Sequence, residues 1–509
     1  MPIQKYPIGL QDFSEVIGRE CVYVDKTKLV YDVVTRYKYN FLSRPRRFGK
    51  SLFLSTIHYL FQGRKELFKG LYIEDKWNFE EYPVIKISFS NIGYREIKLD
   101  EALNIELHSI ASDYDLELTF DKPSFLFKEL IVGLEKKFNK PVVILIDEYD
   151  KPLIDFLDKE NIHKAIENRG ILKTFYSVLK DADPYLQLVF ITGVSKFSQV
   201  SIFSDLNNLF DLTIQKDFNE ICGLTQVELE KYFPEELKVY NKEDIKNWYN
   251  GYRWNADGTT LYNPFSILNF FAGHGEFRNY WYSTGTPTFL LKKSREERFY
   301  QLEMLTFDFD ELQSFDIEKL QTIPILFQTG YLTIKEKDDI SGNVVLDFPN
   351  KEVRLSYYRG LADQYIQSSC YSSSTILSQL IKSIKNENQE DFKNALNLAF
   401  AQIPYDLWQK ENEHFYHAIV HLLFSLLGLH IQSEVHTKNG RADILIFYDA
   451  KIFCLEFKLD KSAEEAIEQI KSRGYLEQYH SSEKQLQLIG VNFSSANKKV
   501  EKIIWENYH

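Results

Sequence analysis

From residue 22 to residue 200, short runs of apolar, β-branched and aromatic residues alternate with longer amphipathic stretches. "YNFLS", "PVIKISFS", "PVVILID" and "LQLVFITG" have the length of strands and are bounded by turn residues. This rhythm predicts a mostly parallel sheet covered by helices. From about 217 to 310 the pattern turns helical and aromatic, through "NWYNGYRW" and "LYNPFSILNFF". Residues 312–349 predict a helix and then a β-hairpin, made by "YLTIK", the polar turn "DDISGN" and "VVLDF". After a helical segment near 375–385 and the polar stretch "SIKNENQEDFK", the chain returns to mixed α/β patterns.

The segment "SRPRRFGKSLFL", residues 43–54, sets Gly49, Lys50 and Ser51 between a predicted strand and a predicted amphipathic helix. A phosphate-binding loop is built this way. Backbone N–H groups turn inward after a strand, and a helix N-terminus adds positive potential. Lys50 is placed to reach β- and γ-phosphates, and Ser51 to ligate Mg²⁺. The pattern G-x-x-x-x-G-K-[ST] asks for a first glycine where the chain has Arg44. That departure is expected to bear on hydrolysis more than on binding, with Arg46, Arg47 and Phe48 lying where phosphates would sit. Downstream, "VVILIDEYD" is an apolar strand that ends in Asp147, expected beside the metal, and Glu148, expected near the attacking water. A chance G-K-S turn with an exposed acidic loop is the plain alternative, and the joint context favours the nucleotide site. In "FITGVSKFS", Thr192 or Ser195 is placed to sense the γ-phosphate or orient water, or simply to cap a strand end. Arg253 is placed to reach the phosphates, or else to stack on Trp248, Tyr249 or Trp254.

At 509 residues and 44% hydrophobic, the chain is long enough for about three domains with several cores. Its 61 Lys+Arg against 73 Asp+Glu argue against indiscriminate nucleic-acid binding over the whole surface, though not against a local basic groove. Four widely spaced cysteines without a C-x-x-C pair suit buried thiols in a reducing cytoplasm. The start "MPIQKYPIGLQDF" shows no apolar signal core, and the longest apolar run, "AIVHLLFSLLGLHI", is short for a membrane span. A soluble cytoplasmic protein without a membrane partner is expected.

Near the C-terminus, "GRADILIFYDAKIFCLEFKLD" carries two apolar strands around "YDAK". A two-residue turn at Asp449–Ala450 sets Asp443 directly opposite Glu456, on one face. Lys458, two residues beyond Glu456, points to that face as well, while Phe457 points to a core. Two facing carboxylates repel, and a divalent cation such as Mg²⁺ compensates them with oxygen ligands and several retained waters. A lysine beside it orients or deprotonates a water, or stabilises charge on a scissile phosphate. The plain alternative is a solvated hairpin face with Lys458 neutralising Glu456. On a helix before the hairpin, Glu413, His417 and His421 share one stripe, more in keeping with a wet face than a zinc site. On the helix after it, Gln469, Lys471 and Tyr475 either approach a phosphate backbone or are solvated.

These residues resemble a known family. D-x12-E-x-K is the D…(D/E)-x-K core of PD-(D/E)XK nucleases, and here it is combined with "RPRRFGKS", "LIDEYDKP", "TGVSKFS", "WYNGYRW", "LYNPFSI" and "QTGYLTI". The combination is similar to AAA-ATPase-like proteins that carry a C-terminal PD-(D/E)XK nuclease domain, and the likeness runs through nearly the whole chain. The arginine at position 44 is itself typical of that family. The resemblance implies ATP binding at the N-terminus through Lys50, Ser51, Asp147 and Glu148, and Mg²⁺-dependent cleavage through Asp443, Glu456 and Lys458. It also implies a metal-holding role for Glu413, a polar role for Gln469, and less defined roles for Glu434 and Arg441. The expected layout is an α/β P-loop core over 1–215, a helical lid and winged-helix-like region over 216–372, and a restriction-endonuclease-like α/β domain over 373–509. A plain structural linker is the alternative for the middle part. The expected activity is ATP-gated or ATP-powered cleavage of nucleic acid, DNA before RNA, in defence or DNA processing, with a homo-oligomer among the states to test. A non-cleaving ATP-dependent switch that binds nucleic acid or a protein is the alternative.

Overall fold

A computed structural model of the chain describes all residues except 1–4, 197–201, 204–205, 207, 282–287, 298–301, 313–320, 339, 366–372, 404–412, 427–429, 438–439, 481–483 and 509. It divides into two compact units, one of Met1–Phe289 with Glu303–Val353, the other of Leu290–Leu302 with Arg354–His509.

The first unit is built on five parallel strands, β1 (Tyr39–Ser43), β2 (Val84–Ser88), β3 (Val142–Asp147), β4 (Leu186–Gly193) and β5 (Phe210–Asp211). Every residue of β1 and of β3 is buried, which is why both read as unbroken apolar runs rather than alternating ones. The sheet order is β2-β3-β4-β1-β5. This order does the functional work, because it sets β4 between β1 and β3. The loop after β1, Asp147 at the end of β3 and Thr192 near the end of β4 therefore emerge along one carboxyl edge, where open α/β sheets bind ligands. The helix Lys50–Phe61 follows β1 directly and starts on Gly49, whose φ of 97° suits glycine and strains other residues.

The aromatic region after residue 217 folds as short capped helices. Thr225 and Glu228 form a capping box on Gln226–Tyr232, and Asn263 caps Pro264–Ala272. Leu229, Phe233, Ile245, Tyr249, Phe270 and Phe271 make their common core. The predicted helix and hairpin appear as Thr322–Gln328, β7 and β8, where β6 is Leu305–Asp308, β7 is Thr333–Lys337 and β8 is Asn343–Asp347. β6 joins β8 as a third antiparallel strand that the sequence pattern had not shown.

The second unit holds a mixed sheet of β9 (His430–Thr437), β10 (Gly440–Tyr448), β11 (Lys451–Leu459), β12 (Gln485–Ser494) and β13 (Lys499–Asn507), ordered β13-β12-β11-β10-β9. Only β11 and β12 pair in parallel, so a crossover must join them. The helix Ala463–Arg473 makes it, opened by a Ser462–Glu465 capping box and closed on left-handed Gly474. Ala466, Ile467 and Ile470 are buried on this helix, and Ile467 and Ile470 pack with Leu445, Cys454 and Leu488 of the sheet. Among the described residues no helix is long and apolar enough to cross a membrane.

Candidate functional sites

A cleft of about 440 Å³ lies at the carboxyl edge of the first sheet, lined by Arg46, Arg47, Phe48, Gly49, Lys50 and Ser51 on one side and by Asp147 and Glu148 on another. The Lys50 ammonium donates to the carbonyls of Arg44 at 2.8 Å and Pro45 at 2.9 Å. Burial lowers its pKa, against the pull of the Asp147 and Glu148 charges. Ser51 Oγ donates to Asp147 Oδ2 at 2.6 Å, and Thr192 Oγ1 donates to Asp147 Oδ1. A hydroxyl and a carboxylate thus converge below the phosphate loop, a donor set that suits Mg²⁺ shared with a phosphate oxygen.

Glu148 sits at φ 54°, a left-handed conformation that costs on the order of 1 kcal/mol in a non-glycine residue. Its neighbours enforce it. Tyr149 N–H donates to Thr192 O and Phe89 N–H to Asp147 O. The bend turns the Glu148 carboxylate into the cleft, where it accepts from Ser90 Oγ and from Lys151 Nζ, the latter at 3.1 Å. Burial pushes its pKa up, but the Ser90 hydrogen bond and the Lys151 and Lys50 charges outweigh that and hold it below the usual value. Ser90 and Lys151 were not foreseen. Lys151 lies three residues past Glu148, a local signal. Ser90 is brought near only because Ser88 of β2 pairs with Asp147 of β3.

Three sequence expectations change here. Ser195 is not free to face a phosphate, since its N–H and Oγ both donate to buried Asp150, at 2.7 and 2.6 Å. Burial raises the Asp150 pKa to about 6, and its bonds to the 194–195 backbone pin the end of β4 to the turn after β3. Arg253 does not reach the cleft. Its guanidinium donates to the carbonyls of Ile334, at 3.0 Å, and Lys335, so its five donors serve β7 instead of phosphates. Arg44 does not act from the cleft either. Its side chain is fully buried and turned away, donating to the carbonyls of Ser43, Thr213, Phe218 and Asn219 and lying 4.3 Å from the Trp254 ring centroid. Burial lowers its pKa to about 10, and it remains charged at neutral pH. The residue at the first-glycine position is thus an anchor between the phosphate loop and segment 213–219.

In the second unit, β10 and β11 pair from Ile444↔Leu455 to Tyr448↔Lys451, around a turn in which Asp449 has φ 48°. The register is the one a two-residue turn dictates. Asp443 Oδ2 accepts from the N–H of Phe457 at 2.8 Å, which holds it against β11. Glu456 is buried, and its Oε1 accepts from Lys458 Nζ at 3.0 Å and from Gln469 Nε2. Burial, then the Asp443 charge, raises the Glu456 pKa to about 8, and Lys458 opposes the rise. Glu456 Oε2 is buried and has no hydrogen-bond partner among the described residues. An orphaned carboxylate oxygen beside a second carboxylate is costly unless a cation takes it, so Asp443 and Glu456 fit a divalent metal.

Gln469 Nε2 also donates to Tyr475 OH at 3.1 Å, so both residues belong to the carboxylate cluster, with Tyr475 buried. Lys471 is elsewhere, paired with Glu506. The backbone of Glu434 takes the β9 position opposite Asp443, between the pairs Ala442↔Val435 and Ile444↔Ser433. The side chains of Glu413, His417, Glu434 and Arg441 lie outside the described residues. His421 is buried 3.3 Å from Ser425 Oγ and stacks edge-on with Tyr358, a packed histidine and not part of a wet face.

The parallel sheet with its loop after β1, and the mixed sheet with its carboxylate hairpin, define a P-loop NTPase fold joined to a nuclease-like α/β domain. Comparison with known proteins agrees. The family model described as a predicted AAA-ATPase matches residues 7–203, and that of the PD-(D/E)XK nuclease superfamily matches residues 411–503. A protein of Azotobacter chroococcum mcd 1, described as an uncharacterized protein in the vnfD 5' region, is 35% identical over 521 residues, covering the whole of both chains. No solved structure matches. The chain belongs to the family of AAA-ATPase-like proteins with a C-terminal PD-(D/E)XK nuclease domain.

Proposed function

We propose that the chain binds ATP with Mg²⁺ in the cleft at Lys50 and cleaves nucleic acid, DNA before RNA, at the Asp443–Glu456 hairpin, with ATP binding or hydrolysis controlling cleavage. The observation that carries the nuclease reading is the buried Glu456 Oε2, left without a partner beside Asp443. In this reading Asp443 and Glu456 hold the metal, which supplies positive charge to the scissile phosphate and a more acidic water. Lys458 stabilises the charge that develops on the phosphate. Gln469 fixes the Glu456 carboxylate from the far side through its bond to Tyr475. The test is loss of labelled single- and double-stranded DNA and RNA, with and without Mg²⁺ and ATP. Cleavage should need Mg²⁺. Lys458→Ala should stop it while Mg²⁺ still binds, because lysine is not a ligand. Binding of the labelled strands without cleavage under every condition would favour the non-cleaving switch.

In the nucleotide cleft, the ionised Glu148 carboxylate is the group placed to take a proton from the attacking water. Glu148→Gln keeps an acceptor for Ser90 and Lys151 but removes the base. ATP affinity should stay within about threefold, and hydrolysis should fall at least about a hundredfold, the lower range for a general base. A mutant that turns over ATP at the wild-type rate would remove Glu148 from this role.

A further inference from the structure

A second, smaller cavity of about 100 Å³ opens beside the phosphate cleft. Pro7, Phe48, Gly49, Leu52, Pro264 and Leu268 line both, so the two form one depression with a polar end at Lys50 and an apolar end behind the loop. Val22, Val24, Ile221 and Leu224 wall the apolar end. The polar side chains there are engaged or weak. Lys26 Nζ donates to Glu228 at 2.6 Å, and the Tyr23 hydroxyl lies 3.3 Å from Thr56 Oγ1. The third is the buried thiol of Cys222, a weak donor and acceptor. Among the described lining residues there is no carboxylate and no carboxamide.

The slot is fastened to the phosphate loop. Gly223 donates its N–H to the Phe48 carbonyl at 3.2 Å. At φ 89°, a Cβ on Gly223 would meet Phe48 Cε1 at 2.9 Å. Only glycine lets segment 221–224 lie this close to the loop. The apolar wall and the phosphate cradle are therefore held at a fixed offset, as a ligand with a flat apolar part joined to a polyphosphate requires.

We propose that this slot takes the base of the nucleotide whose phosphates lie at Lys50, and that it selects adenine. The inference rests on the reading of the cleft as a nucleotide site. A flat heterocycle between these walls leaves water with apolar area on both faces, and a purine buries more than a pyrimidine. Guanine carries a ring N–H and an exocyclic amine on one edge. Both need acceptors, which carboxylate or carboxamide side chains would supply and this slot lacks. Burying unmatched donors is what a site rejects most strongly.

The test is calorimetric affinity of the full chain, with Mg²⁺, for ATP, GTP and inorganic tripolyphosphate. ATP should bind at least tenfold more tightly than tripolyphosphate and at least tenfold more tightly than GTP. Leu268, half-buried on the helix Pro264–Ala272, borders both cavities. Leu268→Trp fills the slot, and should weaken ATP at least tenfold while leaving tripolyphosphate within twofold. ATP no tighter than tripolyphosphate in the wild-type protein would overturn the slot, with no need for the variant to fold. GTP equal to ATP would overturn the selection of adenine. Equal losses of ATP and tripolyphosphate in Leu268→Trp would mean damage to the loop and not to a base site, and would also overturn it. Failure of wild-type protein to bind either ATP or tripolyphosphate would remove the nucleotide reading itself, a result distinct from tight tripolyphosphate binding without gain from the base.

Discussion

Glu456→Gln should raise the stability of the C-terminal unit in metal-free buffer while ending Mg²⁺-dependent cleavage. Burial and the Asp443 charge raise the Glu456 pKa from an ordinary 4.5 to about 8. In the unfolded chain this carboxyl loses its proton near pH 4.5, whereas the folded chain keeps it until about pH 8. Folding must therefore take up a proton between these values, and stability falls with rising pH across the window by up to about 1.4 kcal/mol per unit. Glutamine removes that dependence. It keeps an acceptor for Lys458 and Gln469, and it does not repel Asp443. The mutant's advantage should be small at pH 5, grow through pH 6 and 7, and level off above pH 8 at about 2–4 kcal/mol. Added Mg²⁺ should stabilise wild-type protein and leave the mutant unmoved, since one ligand is gone. The measurement is thermal unfolding from pH 5 to 9 in chelator and in Mg²⁺, with cleavage assayed beside it. An advantage of the same size at pH 5 and pH 8 would rule out the buried carboxyl as its source. A wild-type protein that ignores Mg²⁺ would sink the metal site as drawn.

Why was this site legible in the sequence when parts of the other were not? A hairpin is local. Once Asp449 and Ala450 form the turn, the period of two sets which side chains share a face, and the facing pair follows from counting. Glu456 and Lys458 were placed by that count alone. The phosphate loop was legible for the same reason from Gly49 to Ser51, where strand, loop and helix are contiguous. What failed was pairing over long separations. Arg253 and Arg44 are both arginines near predicted loops, and which carbonyls take their guanidinium groups depends on how β7 and segment 213–219 pack. Ser90 meets Glu148 only because β2 lies beside β3. Pro7 and its neighbours line the cleft from the far N-terminus, and nothing in their composition marks them. The fold class could be read because buried parallel strands leave apolar runs. The order of those strands, which decides what meets at the carboxyl edge, leaves no such trace.

Arg44→Gly restores the first glycine of the G-x-x-x-x-G-K-[ST] pattern, and should weaken nucleotide binding. If the pattern alone set affinity, the substitution would improve it. In this chain the Arg44 guanidinium holds the carbonyls of Ser43, Thr213, Phe218 and Asn219 and packs on Trp254. Glycine leaves those buried carbonyls without donors and opens a cavity of arginine size. It also frees the backbone at a position where Lys50 takes the residue's own carbonyl. Removing the buried charge returns some of its desolvation cost, which the lowered pKa of about 10 reflects. Unsatisfied carbonyls at about 1–3 kcal/mol each outweigh that return, for a net loss of about 2–4 kcal/mol. A loop that has lost its anchor samples other shapes, so ATP affinity should fall at least about tenfold, or about 1.4 kcal/mol. Arg44→Lys separates charge from anchoring, because an ammonium keeps the charge but cannot span the carbonyls that a guanidinium fork reaches. It should behave more like glycine than like wild type. Thermal unfolding and calorimetric ATP binding on the three proteins decide the matter. A glycine variant that binds ATP as tightly as wild type, at unchanged stability, would show that the anchor is dispensable.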